Sequence, residues 1–402
     1  MSNLATIQRL QFTDRKKAER LLQRWFARHM HLATESVTLI SRAVSLNSFN
    51  GFYRSDGEEY FFKTHVEEQG ILEEYYHAEL LSQTGYNIVR PLRVLHEKEQ
   101  QMVIYPVVHW PVMFDLMRAV ETGNAAEITM ETLVSAEMRE CKRLLGIYQS
   151  TLAPSTKEEN AAAPIHQLFW HRITGGRFKN FYSGKFVRFP TEIEGRPGVA
   201  FDELLGYRWV INGYIQRLSL GELIERARIV LDPRKAAATI IGHGDAHFGN
   251  VFLENYEHYL YFDPAFAGRH SPLLDVIKPL FHNIFATWMY FPYDVVSNLH
   301  LTVSVDDANI SVEHDYTLTP VRQAILQTKI EHLLTPLTAE LREQNALPAD
   351  WRELMQLALM CCSLLTINLL DEQRMPPAIG WLGLLLAVQM GNSGIEVWRE
   401  NL

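Results

Sequence analysis

Apolar positions recur at helical spacing near the start of the chain, at Ala18, Leu21, Leu22, Trp25 and Phe26, and predict a helix over residues 14–30. The period then shortens. Residues 36–44, 52–54 and 60–63 carry β-type runs, and the Asp56-Gly57 dipeptide between the last two suits a hairpin turn. Residues 69–83 return to helical spacing and stop at Gly85. Residues 89–95 and 101–107 read as two further strands. Beyond Tyr105 the spacing is mainly helical, over 112–122, 128–149, 201–227 and 322–344, with a polar, alanine-rich connector at 151–163. A small β-rich front and a large helical rear predict an α+β chain of two lobes, residues 1–105 and 106–402.

Two runs are apolar almost throughout, 354–370 and 379–390. The second is too short to cross a bilayer. The first is near the lower length limit and carries Gln356, Ser363, Thr366 and Asn368. Both are expected to be buried core helices, with no membrane partner.

Composition narrows the function classes. Apolar residues make up 47% and charged residues 21%, which excludes a largely disordered chain. A net charge of -9 disfavours nucleic acid or anionic lipid as a partner of the whole surface. Cys141, Cys361 and Cys362 form no CxxC pair, and the first thirty residues lack the apolar core of a secretory signal. The expectation is a reducing, cytoplasmic setting without a structural metal.

The chemistry-bearing segment begins at Ile240, IIGHGDAHFGNVFLENYEHYLYFDPAFAGRHSPLLDVIK. An apolar run leads into His243-Gly244-Asp245, Asn250 follows five positions later, and two β-like runs around a polar turn end at Asp263. Phosphoryl transfer needs a group that orients or deprotonates the attacking hydroxyl, and metal held against the phosphates. Kinases of the protein-kinase type supply these with a loop Asp, an Asn five residues on, and an Asp beyond a hairpin. Asp245, Asn250 and Asp263 stand in that order. Gly244 replaces the Arg of the protein-kinase loop, which argues against control by a phosphorylated activation segment. The twelve positions from Asp263 to Asp275 leave little room for a peptide platform. His247 reads as a loop-structuring residue.

HGDxHxxN, a hydrophobic hairpin and a following Asp resemble the aminoglycoside phosphotransferase family and its choline and homoserine kinase relatives. The resemblance implies a protein-kinase-like bilobal fold, with a nucleotide-binding lobe over 1–105 and a catalytic, substrate-binding lobe over 106–402. It implies transfer of the γ-phosphate of ATP (or GTP) to a hydroxyl of a small molecule: an aminoglycoside-like antibiotic, a sugar or an amino-alcohol. It implies that Asp245 is the catalytic residue, that Asn250 and Asp263 hold Mg2+, and that Asp275 braces the loop. Lys63, ending the run Tyr60-Phe61-Phe62, resembles the lysine strand that reaches the α/β phosphates, and Glu74 its helical partner. Ser48 or Asn47 in the loop at 45–51 could cap a phosphate, although that loop has one Gly and no GxGxxG. Residues 102–108 resemble the lobe connector, and Pro106 leaves the amides of Tyr105 and Val107 as purine ligands.

Two stretches remain. The basic, aromatic residues 169–188 read as a solvated surface loop first and a substrate lid second. Asp306, Asp307, Glu313 and Asp315 form an acidic run that could face a cationic acceptor, or be a solvated loop. The alternative function is a non-catalytic nucleotide-binding protein with a kinase-like fold.

Overall fold

The computed structural model describes residues 4–40, 48–65, 71–95, 101–125, 128–306 and 309–395. The chain divides into two compact units: one of residues 1–111 with 260–267, the other of residues 112–259 with 268–402.

The first unit opens with helices α1 (Leu4–Thr13) and α2 (Arg15–Trp25). Asp14 starts α2 by accepting from the Lys17 amide at 3.1 Å. Strands β1 (Ser36–Ile40), β2 (Ser48–Ser55) and β3 (Glu58–His65), helix α3 (Ile71–Gln83), and strands β4 (Arg93–Leu95) and β5 (Met102–Pro106) follow. The sheet order is β1-β2-β3-β5-β4, and every adjacent pair is antiparallel. The β2–β3 turn is the expected one. Asp56 and Gly57 sit at φ 54° and 79°, the pair of positive values that a tight hairpin twist requires. β1 is an edge strand, and α2 covers part of its backbone: Glu19 accepts from the Leu39 amide at 3.0 Å, and Arg15 donates to the Leu39 carbonyl. Leu22, Trp25 and Phe26 pack with Leu39, Phe62, Met102 and Ile104 as the core of this unit. The expected strand at 89–95 is shorter in fact. Pro91 has no N–H to donate, the Leu92 amide makes the first bond to β5 at Ile104, and Arg93–Leu95 forms the strand, while Ile88 bridges Tyr261.

The second unit is mainly helical. Met130–Thr151, Trp351–Leu365 and Pro377–Ser393 are its longest helices among the described residues. Trp351–Leu365 and Pro377–Ser393 pack against each other and are buried over most of their length, so their all-round apolar surface belongs to the core. No helix among the described residues is long and apolar enough to cross a membrane.

Three sequence expectations need correction here. The single helix over 201–227 is broken into Phe201–Leu204, a hairpin of Arg208–Ile211 with Tyr214–Ile215, and Leu220–Val230. Asn212 and Gly213 lie at φ 49° and 79°, a hairpin-turn signal that outweighs the helical spacing around it. The connector at 151–163 is structured: Ala153–Ser155 pairs with Ala237–Gly242, and Thr156 and Glu159 form a capping box on Lys157–Ala162. The surface loop at 169–188 consists instead of helices Trp170–Thr174 and Gly176–Tyr182 and the start of strand Phe186–Ile193. Phe169 and Tyr182 are fully buried and serve the core, while Phe186 stays exposed.

Buried ion pairs tie this unit together. Arg322 Nε lies 2.5 Å from Glu121 Oε1, and both side chains are buried. Arg322→Met leaves the Glu121 carboxylate buried without that partner. The expected cost is about 3–5 kcal/mol, read as a lower urea midpoint. A midpoint equal to wild type would show that Glu121 finds another partner or water.

Candidate active site

Strand Ala237–Gly242 delivers the chain to His243, Gly244 and Asp245. Gly244 has φ 79°, a conformation that a side chain resists, and this explains glycine where the protein-kinase loop has arginine. Its amide donates to Asp275 Oδ1 at 2.7 Å. The same carboxylate lies 2.9 Å from His270 Nε2 and accepts from the Tyr148 hydroxyl. A Cβ on Gly242 would fall 2.6 Å from Asp275 Oδ2, so glycine is required there by close approach.

The loop then closes on itself. The His247 amide donates to the Asp245 carbonyl at 2.9 Å, and the Asn250 side-chain amide donates to that carbonyl at 2.9 Å. His247 Nδ1 accepts from the Gly249 amide at 3.0 Å, so a neutral His247 carries its proton on Nε2, 3.9 Å from Asp245 Oδ1. Asn283 anchors the loop from outside by accepting from the Phe248 amide at 2.8 Å.

Asp245 is the electrostatic centre of this arrangement. Burial by itself pushes its carboxyl up. Lys278 first, then His247, His243 and Arg172, outweigh burial and hold the carboxyl below the ordinary aspartate value. Lys278 Nζ lies 3.8 Å from Asp245 Oδ1 and is itself only 4% exposed. Lys278 also lies 2.7 Å from His282 Nε2, and His282 Nδ1 lies 2.7 Å from the Tyr290 hydroxyl. Burial, then Lys278 and His247, keep His282 well below the usual histidine value. His282 is therefore neutral. Its Nε2 accepts from the Lys278 ammonium, and its Nδ1 donates to Tyr290. Asp245 Oδ1 is buried with no hydrogen-bond partner among the described residues.

The other cluster belongs to the first unit. Lys63, on β3, donates to Asp263 Oδ1 at 2.7 Å. Asp263 holds φ 57°, a left-handed conformation that non-glycine residues adopt at a cost and that aspartate tolerates better than most. Residues 260–267 are fixed in that unit by backbone bonds of Tyr261 to Asn87 and Val89, and by His77 Nδ1, 3.0 Å from the Pro264 carbonyl. Tyr105 is buried in β5 opposite Phe61, and Val107 lies just past the strand end. Ser48 begins β2 and Glu74 lies within α3, but the side chains of both fall outside the described residues. Asn47 and Asp307 also lie outside them.

The sequence-derived residues thus fall into two groups: Lys63 with Asp263 in one unit, Asp245 with Asn250 in the other. Lys278 and His282 were not anticipated. Their spacing after Asp275, at three and seven positions in an otherwise apolar helical run, is the signal that marks them. Arg172 has no such signal. Two members of the acidic run have local partners. Asp306 accepts from the Asn309 amide at 2.7 Å and Asp315 pairs with His300 at 2.8 Å, so both structure a hairpin and its flank. A separate cleft, lined in part by Asn160, His166, Asp232 and Lys235, contains none of the motif residues.

No known family profile matches the chain, and no curated protein matches it in sequence. Solved structures do resemble it. One is a thermostable mutant of the aminoglycoside phosphotransferase APH(4)-Ia, in a ternary complex with AMP-PNP and hygromycin B. It is 11% identical over 92% of this chain and 99% of its own, with a TM-score of 0.50. The spectinomycin phosphotransferase APH(9)-Ia, in complex with ADP and spectinomycin, is 13% identical over 94% and 98%, with a TM-score of 0.40. At such identity the first likeness establishes the fold: this chain has the kinase-like fold of the aminoglycoside phosphotransferases.

Asp275 yields a prediction about stability. Burial raises its carboxyl, but His270, Tyr148 and the Gly244 amide together hold it below the ordinary value. A carboxyl lowered on folding contributes stability that is complete above its unfolded value of about 3.9. That stability is lost as pH falls through the lower folded value. Asp275→Asn is expected to cost about 1–3 kcal/mol at neutral pH, with a smaller difference from wild type in acid. Urea midpoints at pH 7 and pH 3 check both statements, and a deficit that persists unchanged at pH 3 would contradict the second.

Proposed function

We propose that this protein transfers the γ-phosphoryl group of ATP to a hydroxyl of a small molecule, in the cytoplasm, with Asp245 as the catalytic residue. One observation carries the proposal: a partly buried loop carboxylate held below the ordinary aspartate value, with one buried oxygen lacking a hydrogen-bond partner among the described residues. A buried acceptor in that state is a stored demand for a donor. The hydroxyl of an acceptor substrate meets it. The shared fold supports this assignment, and three free, buried cysteines suit a reducing compartment.

Asp245 orients the acceptor hydroxyl and takes its proton as the oxygen bonds to the γ-phosphorus. The bond from that phosphorus to the β–γ bridging oxygen breaks, and ADP leaves. Asn250 and Asp263 would hold magnesium, which offsets phosphate charge when bound. The fit is chemical: both offer oxygen ligands, as a hard cation requires, and the Asn250 amide is oriented through its nitrogen, leaving its oxygen as the ligand atom. Lys63 is proposed to hold the α/β phosphates, with its ammonium presented by β3 beside Asp263. Glu74 and Ser48 are proposed as its helical partner and as a phosphate cap, and the amides of Tyr105 and Val107 as purine ligands.

Asp245→Asn preserves shape and removes the charge. Turnover, measured as ADP release on a panel of hydroxylated acceptors, is expected to fall by roughly a hundredfold to ten-thousandfold. Mg-ATP affinity is expected to change little. Near-normal transfer by the variant would remove Asp245 from the chemistry.

Asp263→Ala is expected to weaken Mg-ATP binding in a calorimetric titration, because it deletes a metal ligand and a partner of Lys63. Equal affinity for wild type and variant would count against the assignment. Wild-type protein that binds Mg-ATP yet phosphorylates nothing would instead favour a non-catalytic nucleotide-binding role.

A further inference from the structure

We infer that the acceptor carries an anionic group, a carboxylate or a phosphate, which docks on Arg172 and Lys278 beside Asp245. This rests on the phosphotransferase assignment above and adds the substrate class.

The charge balance around Asp245 is the starting point. Helix Pro272–Leu280 brings Lys278 to 3.8 Å from the carboxylate, in a nearly fully buried position. Helix Trp170–Thr174 brings Arg172, whose charge acts on Asp245, Lys278 and His282 alike. Both helices pack on Trp351–Leu365, which presents Cys361 and Cys362 to the same space. Burial pushes the Cys362 thiol up to about 11, so it stays neutral and supplies no negative charge. Asp245 is thus the carboxylate that acts most strongly on both cations. Lys278 is buried, Arg172 and Asp245 are partly buried, and two cations thus act on one carboxylate.

The hydrogen bonds show the same deficit. Arg172 Nη1 is buried with no hydrogen-bond partner among the described residues. Arg177, the next cation along, is satisfied: its Nη1 donates to the carbonyls of Leu365 and Thr366 at 3.2 and 3.4 Å. Lys278 spends one donor on neutral His282, which carries no compensating charge. Buried charges in folded proteins are paired, and a guanidinium presents a fork suited to two oxygens of a carboxylate or phosphate. The missing partner is an anion. Elsewhere in the same unit each buried cation has a carboxylate in direct contact, Arg322 with Glu121 and Lys329 with Glu137. An acceptor rich in amines would meet repulsion at this position, and a neutral one would leave Arg172 unpaired.

An anion could reach this position from two sources, the acceptor or the γ-phosphate of the nucleotide. Calorimetric titration of inorganic phosphate into the protein, with and without saturating Mg-AMP-PNP, separates them. The expected result is phosphate binding that persists beside Mg-AMP-PNP. It should weaken on the order of thirtyfold in Arg172→Gln, as when one member of a buried charge-assisted pair is lost. Arg172→Lys should recover part of it, and thermal melts confirm that both variants fold. Phosphate displaced by Mg-AMP-PNP would assign the cations to the nucleotide and overturn the inference. So would phosphate that fails to bind, or that binds Arg172→Gln as tightly as wild type. A protein that binds phosphate through Arg172 but not Mg-AMP-PNP would refute the phosphotransferase assignment while leaving the anion site standing. Turnover on gluconate, glucose and glucosamine adds a second measure. Gluconate is expected to lead in kcat/KM, and Arg172→Gln to raise its KM while leaving the KM for ATP within about twofold. Equal or better turnover of glucosamine would overturn the assignment.

Discussion

The Asp275 carboxylate joins parts of the second unit that the chain keeps far apart. It accepts from the Gly244 amide, faces His270 across 2.9 Å, and takes the Tyr148 hydroxyl from the long helix Met130–Thr151. A buried carboxylate is tolerated only when its oxygens are satisfied, and these three groups meet that condition. The consequence is geometric. Gly244 is fixed in a left-handed turn, and that turn aims Asp245 away from the strand. The preceding Gly242 cannot carry a side chain, because Asp275 and His270 occupy the place of its Cβ.

The loop that follows is rigid for the same reason. The His247, Gly249 and Asn250 amides find partners within the loop and the Phe248 amide finds one on Asn283, which limits the freedom of Asp245. Rigidity of this kind is what catalysis by orientation needs, since a displaced base loses most of its advantage. The ion pairs elsewhere in the unit, Glu121 with Arg322 and Glu137 with Lys329, serve a different end. They join helices and are closed. The group around Asp245 is open: Lys278 and Arg172 bring more positive charge than Asp245 offsets. Positive surroundings keep the carboxylate ionised, so it is ready to accept a proton near neutral pH, and they favour negative charge arriving with a substrate.

Local chemistry explains what could be read along the chain. HGDxHxxN, the strand before it and the strands after it lie within a short segment, where spacing translates directly into geometry. The Asp56-Gly57 hairpin, the helix ending at Gln83 and the two apolar core helices are equally local, set by turn conformation and by period. Where local signals compete, the period misleads. Residues 201–227 carry helical spacing, yet Asn212-Gly213 imposes a hairpin, and in the aromatic run at 169–188 Phe169 and Tyr182 belong to the core.

By itself the sequence determined the fold class, the loop with Asp245 and Asn250, and Asp263 after its hairpin. Only the tertiary structure decided which charges meet. Lys63 and Asp263 are separated by two hundred positions, Tyr148 and Asp275 by more than a hundred, and no pattern along the chain encodes such distances. Arg172 looks like any surface arginine in sequence. Its significance comes from a partly buried place among Lys278 and neutral thiols, where its Nη1 is buried without a hydrogen-bond partner among the described residues.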